Sequence, residues 1–123
     1  MPSPKQTKGY LMEERALEYL QGKGLALVER QARYPFGEID LVMTDGNELV
    51  FVEVRYRASR SFGGALASVG RIKQRRLQLA ALAWLSTAER KANGHGPAPR
   101  YKGCRFDLVL IEPAELQWLR NAI

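Results

Sequence analysis

Apolar residues recur every three to four positions in GYLMEERALEYLQGKG, residues 9–24. That period predicts a helix with Ala16, Leu17 and Leu20 on one face and with Gly22 and Gly24 stopping it. At about 100° per residue, Glu13 projects into the centre of the apolar face, whereas Glu14 and Glu18 project to the polar side. LALVERQARY then reads as a strand ended by Pro35 and Gly37. EIDLVMT and ELVFVEVRYR follow as two strands joined at TDGN, with Asp45-Gly46 as the predicted tip of a type I′ hairpin. RSFGGALASVG, rich in Gly and Ser, is predicted to be a flexible crossing segment. From Ser68, a predicted N-cap, a long helix runs through VGRIKQRRLQLAALAWLSTAERK, with Leu77, Ala80, Ala81, Trp84, Leu85 and Ala88 as its packing stripe. Residues 92–103 read as a loop, CRFDLVLIE as the last strand, and Pro113 as the opening of a short helix, AELQWLR.

A hairpin followed by a helical crossover to a further strand predicts an α/β fold, a mixed sheet flanked by helices. The chain of 123 residues, 46% hydrophobic and 26% charged, suits one domain. Residues 1–8, polar with two prolines, are expected as a flexible N-terminal tail and residues 9–123 as the single domain. Nineteen Lys and Arg against thirteen Asp and Glu leave a net charge of +6. This balance suits a polyanionic partner, with nucleic acid first, and is shared by basic proteins of other kinds. Cys104 is the only cysteine, which excludes an intramolecular disulfide and a cysteine-based zinc cluster. His95, the only histidine, lies in the Gly/Pro stretch NGHGPAPR, which argues against histidine chemistry. With no apolar leader and no apolar run of about 18 residues, a cytoplasmic protein without a membrane span is expected.

Charge changes the picture most in GEIDLVMTDGNELVFVEVRYR, residues 37–57, where carboxylates sit within apolar strands. Counted outward from Asp45-Gly46, Met43 is predicted to face Glu48, Asp40 to face Phe51 and Glu38 to face Glu53. Alternation then puts Glu38, Asp40 and Val42 on one face with Leu49, Phe51, Glu53 and Arg55. The opposite face, Ile39, Leu41, Met43, Val50, Val52 and Val54, reads as core. Diagonal neighbours lie about 7–8 Å apart, so Asp40 and Glu53 can reach one Mg²⁺ or Mn²⁺ ion. An ion-pair ladder with Arg55 and Arg57 satisfies the same spacing.

The segments EERALEYL, GEIDLV, LVFVEVRYR, SFGG, the lysine of RIKQRR, and CRFDLV, in this order, resemble the YraN family of small bacterial proteins over residues 9–111. That family is similar to archaeal Holliday-junction resolvases and to the restriction-endonuclease-like core. The resemblance implies a metal-dependent nuclease acting on structured or branched DNA with Mg²⁺ or Mn²⁺, the alternative being a non-catalytic nucleic-acid-binding module that retains the fold. It implies catalytic roles for Glu13, Asp40, Glu53 and Arg55, with Glu13, Asp40, Glu53 and the Val54 carbonyl around the metal. Arg55 stands where the wider nuclease group carries lysine; arginine cannot act as a base but can fork onto a phosphate. Lys73 matches a family lysine, and with Arg71, Arg75, Arg76 and Arg57 it is expected to contact nucleic acid. Resolvases that cut two strands act as pairs, so a homodimer is implied by analogy. Glu38 is expected to hydrogen-bond a loop, Asp107 to pair with Arg105, Trp84 and Trp118 to pack in the core, and Cys104 to be a small buried hydrophobe.

Overall fold

A computed structural model describes residues 4–57, 70–95 and 101–123. Helix α1 (Pro4–Gly22) leads into strands β1 (Ala26–Tyr34), β2 (Gly37–Asp45) and β3 (Glu48–Tyr56), helix α2 (Arg71–His95), and strands β4 (Gly103–Ile111) and β5 (Leu116–Leu119). The strands form one sheet in chain order, antiparallel throughout except for the parallel β3–β4 pair. This is the mixed α/β architecture that the pattern predicts.

The helix starts at Pro4, ahead of the expected boundary at Gly9, because proline with its fixed φ is well placed in a first helical turn. Its end is a Schellman motif. Gly24 takes φ 98° while the Leu25 N–H donates to the Leu20 carbonyl at 3.1 Å and the Gly24 N–H to Gln21 at 3.0 Å. Leu20 and Leu25, brought together by that turn, both enter the core under α1, with Ala16, Leu17, Leu41, Met43, Val50 and Val52. On the other face of the sheet, α2 lays Leu77, Ala80, Ala81 and Trp84 against Val42, Leu49 and Phe51.

The hairpin register differs from the expectation. Asp45 pairs with Glu48, Thr44 with Leu49 and Val42 with Phe51, so Gly46 and Asn47 form the turn. Gly46 alone has positive φ, 62°, the pattern of a turn with glycine at its first central position. Arg105 on β4 explains the shift: it donates to Asp45 Oδ2 at 3.0 Å and to Glu48 Oε1 at 2.6 Å, and so holds two opposed carboxylates within the ladder. A register moved by two residues preserves the faces, and the core faces agree with the sequence apart from Ile39, which packs with the α2 cluster.

The C-terminal segment is also corrected, from helix to strand. AELQWLR is too short to be stable as a helix in isolation, whereas β5 gains a ladder on the edge of β4, with Val109 opposite Trp118. Trp118 donates its indole N–H to Asp107 at 2.9 Å. Asp107, fully buried, also takes the Arg105 Nε at 3.0 Å and the Asn121 N–H at 2.9 Å, which bears out its structural pairing. Cys104 is exposed rather than buried, since it sits where β4 has just entered the sheet. His95 closes α2 instead of lying in a loop. The expected crossing segment and the Ser68 cap lie outside the described residues.

Gly37 opens β2 against α2. A methyl group there would overlap the backbone carbonyl of Arg76, so the helix and the strand touch backbone to backbone at this point. This contact sets the height of the first turns of α2, and with them Lys73, over the sheet.

Candidate functional site

At the end of the β2–β3 hairpin away from its turn, the ladder brings two carboxylates together. The paired ladder runs from Asp45 and Glu48 to Leu41 and Val52, and the next residue on each strand, Asp40 and Glu53, carries a carboxylate close enough to act on the other's charge. Glu53 is 2% exposed. Asp40 is largely enclosed but reaches the surface of two adjoining grooves. The Val54 N–H donates to Asp40 Oδ2 at 2.8 Å. Burial, then the charge of Glu53, pushes the Asp40 carboxyl up to about 7, against the opposing pull of the Val54 N–H and Lys73. Burial likewise raises Glu53, opposed by the Lys73 ammonium and by Arg55.

The alternation of β2 breaks at Asp40, since Ile39 and Leu41 enter opposite core clusters. Opposite Asp40 on β1, between the pairs Arg30–Leu41 and Ala32–Ile39, lies Gln31 with φ 55°. A non-glycine residue in the left-handed region inside a strand costs of order 1–3 kcal/mol, and such strain gathers at functional sites. Its side chain shows what the strain accomplishes. Gln31 Nε2 donates to Glu13 Oε1 at 3.1 Å and its Oε1 accepts from Arg33 Nη2 at 3.2 Å, so the amide orients Glu13 toward Asp40. Burial, then the charge of Asp40, raises the pKa of Glu13. Gln31 was invisible in the sequence, because a glutamine in a polar strand carries no periodic or motif signal.

The predicted basic residues separate. Lys73, expected on a phosphate-facing helix surface, instead points into the acidic pair, with Nζ 3.1 Å from Glu53 Oε1. The pair lacks hydrogen-bond geometry, so Oε1 is buried beside a positive charge but without a donor. Arg76 pairs with Glu38 at 3.4 Å, so Glu38 meets α2 rather than Glu53 or a loop. Arg71 and Arg75 remain exposed on the outer side of the helix. Arg55 lies near enough to Glu53 to act on its charge. Arg57 reaches Glu112, just past the end of β4, at 3.5 Å.

Two grooves flank the Asp40–Glu13 ridge. One, of about 310 Å³, is lined by Glu13, Gln31, Arg33, Glu38 and Asp40. The other, of about 410 Å³, is lined by Met12, Glu13, Asp40, Val54, Tyr56 and Lys73. Each pairs the ridge with one cation, Arg33 or Lys73.

Among the described residues, no three Asp, Glu, His or Cys side chains form a ready-made metal cage. Mg²⁺ needs less, since it is commonly held by one or two carboxylates and keeps several waters. Two features fit such an ion: neighbouring carboxylates that act on each other's charge, and a buried Glu53 oxygen that the Lys73 ammonium approaches at 3.1 Å without a hydrogen bond. Asp40 and Glu53 would hold it, with Glu13 and the Val54 carbonyl beside them.

Comparison with known proteins matches residues 12–111 to the model of "Uncharacterised protein family UPF0102". A UPF0102 protein of Shewanella loihica is 47% identical over 94% of this chain and 93% of its own. One from Herminiimonas arsenicoxydans is 49% identical over 97% and 88%, and one from Pseudomonas putida is 47% identical over 99% and 98%.

Proposed function

From the uncharacterised protein family UPF0102, to which this chain belongs, and from the geometry of the carboxylate pair, we propose a metal-dependent nuclease that hydrolyses phosphodiester bonds in structured or branched DNA. The observation that carries the reading is the neighbouring pair Asp40 and Glu53, Glu53 buried and Asp40 on the wall of both grooves, with the Val54 N–H fixing Asp40 at 2.8 Å. Neighbouring like charges destabilise a sheet, so an arrangement of this kind needs a compensating role. The mixed sheet with a helix on each face agrees with a restriction-endonuclease-like core, and the charge of +6 with a polyanionic substrate.

In this reading Asp40 and Glu53 would hold a Mg²⁺ or Mn²⁺ ion, and the Val54 N–H fixes the Asp40 carboxylate in place. Such an ion would supply Lewis acidity and charge neutralisation at the phosphate. Glu13, oriented by Gln31 and raised in proton affinity, takes the proton released when water attacks phosphorus. Arg33 and Lys73 face the two grooves and steady the phosphates on either side of the cut. Exposed Arg71 and Arg75 extend that positive surface along α2. Symmetrical cutting of a junction would require two copies of the chain.

One observation favours a second reading, a nucleic-acid-binding module without catalysis. Lys73 already offers a positive charge to Glu53, and Arg55, which cannot serve as a base, stands in the strand position next to the pair. The test is wild-type protein with labelled linear, flapped and four-way-junction DNA, titrated with Mg²⁺ and Mn²⁺. The nuclease cleaves only with divalent ion and prefers a branched substrate. A protein that cleaves nothing, yet binds DNA with an affinity that falls steeply with salt and ignores divalent ions, is the binding module.

A further inference from the structure

We infer that Lys73 is a tethered, exchangeable countercation: its ammonium stands at Glu53 where a divalent ion would bind, and ion binding releases it into the groove it shares with Tyr56. The inference rests on the metal-site part of the reading above and adds how the site is held when the ion is away.

The two partners are unequal. Glu53 is fixed, with a side chain 2% exposed, whereas the Lys73 side chain is 40% exposed on the first turn of α2 and carries a flexible four-carbon stem. The contact is a single approach of 3.1 Å without hydrogen-bond geometry. A permanent bridge in this chain looks different. Arg105, 12% exposed, donates to Asp45, Glu48 and Asp107 at 2.6–3.1 Å and ties three carboxylates into the sheet. A single ammonium also offsets one charge of the two that Asp40 and Glu53 can carry, and a divalent ion offsets both. The groove of about 410 Å³ lined by Lys73, Val54 and Tyr56 gives the released side chain somewhere to go without moving the helix. Once there, the ammonium meets a substrate phosphate as a point charge.

Two measurements test this without relying on cleavage. The first is Mn²⁺ binding, followed by the electron paramagnetic resonance of free Mn²⁺, for wild type, Lys73→Met and Lys73→Arg. Lys73→Met binds Mn²⁺ about tenfold more tightly than wild type, a modest figure for removal of one competing close charge; Lys73→Arg binds no more tightly. The second uses wild-type protein only: acylation by an N-hydroxysuccinimide ester, quantified at Lys73 by peptide mass spectrometry, rises several-fold when Mn²⁺ is added. Equal or weaker binding by Lys73→Met, or protection of Lys73 by Mn²⁺, overturns the exchange. If neither protein binds Mn²⁺, the metal site falls with it. If the exchange holds while wild type cleaves no DNA, the inference stands and the nuclease reading alone fails.

Discussion

Asp40→Asn melts higher than the wild-type protein at pH 8 without divalent ions, and under the proposed nuclease function it loses metal-dependent cleavage. Both effects come from the same enclosed carboxylate. Its pKa, near 3.8 when unfolded and about 7 in the fold, is raised by burial first and by Glu53 second. The folded protein therefore binds this proton more tightly than the unfolded chain does. Stability is unaffected below about pH 4, falls as pH rises from there toward 7, and stays at its reduced level above. At about 1.4 kcal/mol for each pH unit of that interval, the ceiling is about 4 kcal/mol, and partial contact with the grooves brings the expected loss to about 2 kcal/mol. Asparagine keeps the shape, still accepts from the Val54 N–H and carries no charge. The stability difference between variant and wild type accordingly grows from pH 5 to pH 8 and then levels off, reaching about 5–10 °C in melting temperature. Added Mn²⁺ raises the wild type and leaves the variant almost unmoved. Cleavage by the variant falls by about 10³-fold or more, as when a member of a catalytic unit is removed. Thermal melts from pH 5 to 9, with and without Mn²⁺, check the first half; a flat difference across that range would refute it.

The second large effect belongs to Gly37→Ala, which changes no charge. The added methyl has no space, because the Arg76 carbonyl already occupies it, and both partners are backbone anchored in a helix and a strand. Either α2 lifts from the sheet or β2 shifts, and overpacking of this kind costs about 3 kcal/mol. Denaturant unfolding reads it as a lower midpoint at unchanged slope. The same displacement carries Lys73 away from Glu53, so Mn²⁺ added to the variant no longer competes with the ammonium. A variant as stable as wild type would mean that α2 is free to slide over β2.

The elements that hold the site were legible wherever a long periodic segment met a clear terminator. The stripe of Leu77, Ala80, Ala81 and Trp84 marked α2, Gly24 closed α1, and the alternation in β2 and β3 assigned most of both core faces. Glu13, Asp40 and Glu53 stood out because they are charges at apolar positions. The hairpin register was not legible, because Arg105, remote in sequence, decides it by holding Asp45 and Glu48 in the ladder. β5 was hidden for a similar reason, its strand existing by virtue of the β4 edge. Lys73 read as one of a surface cluster of four basic residues, since helical spacing alone does not reveal which of them leans over a neighbouring strand. Gln31 carried no signal at all. Its role depends on a backbone conformation that only the sheet imposes.

The central claim is that Asp40 and Glu53 form a divalent-ion site. Crystals grown without divalent ions and then soaked in Mn²⁺ should show one anomalous peak about 2.0–2.2 Å from an oxygen of each carboxylate, with the Lys73 ammonium withdrawn from Glu53. A structure at millimolar Mn²⁺ with no peak there and Lys73 still beside Glu53 would contradict it.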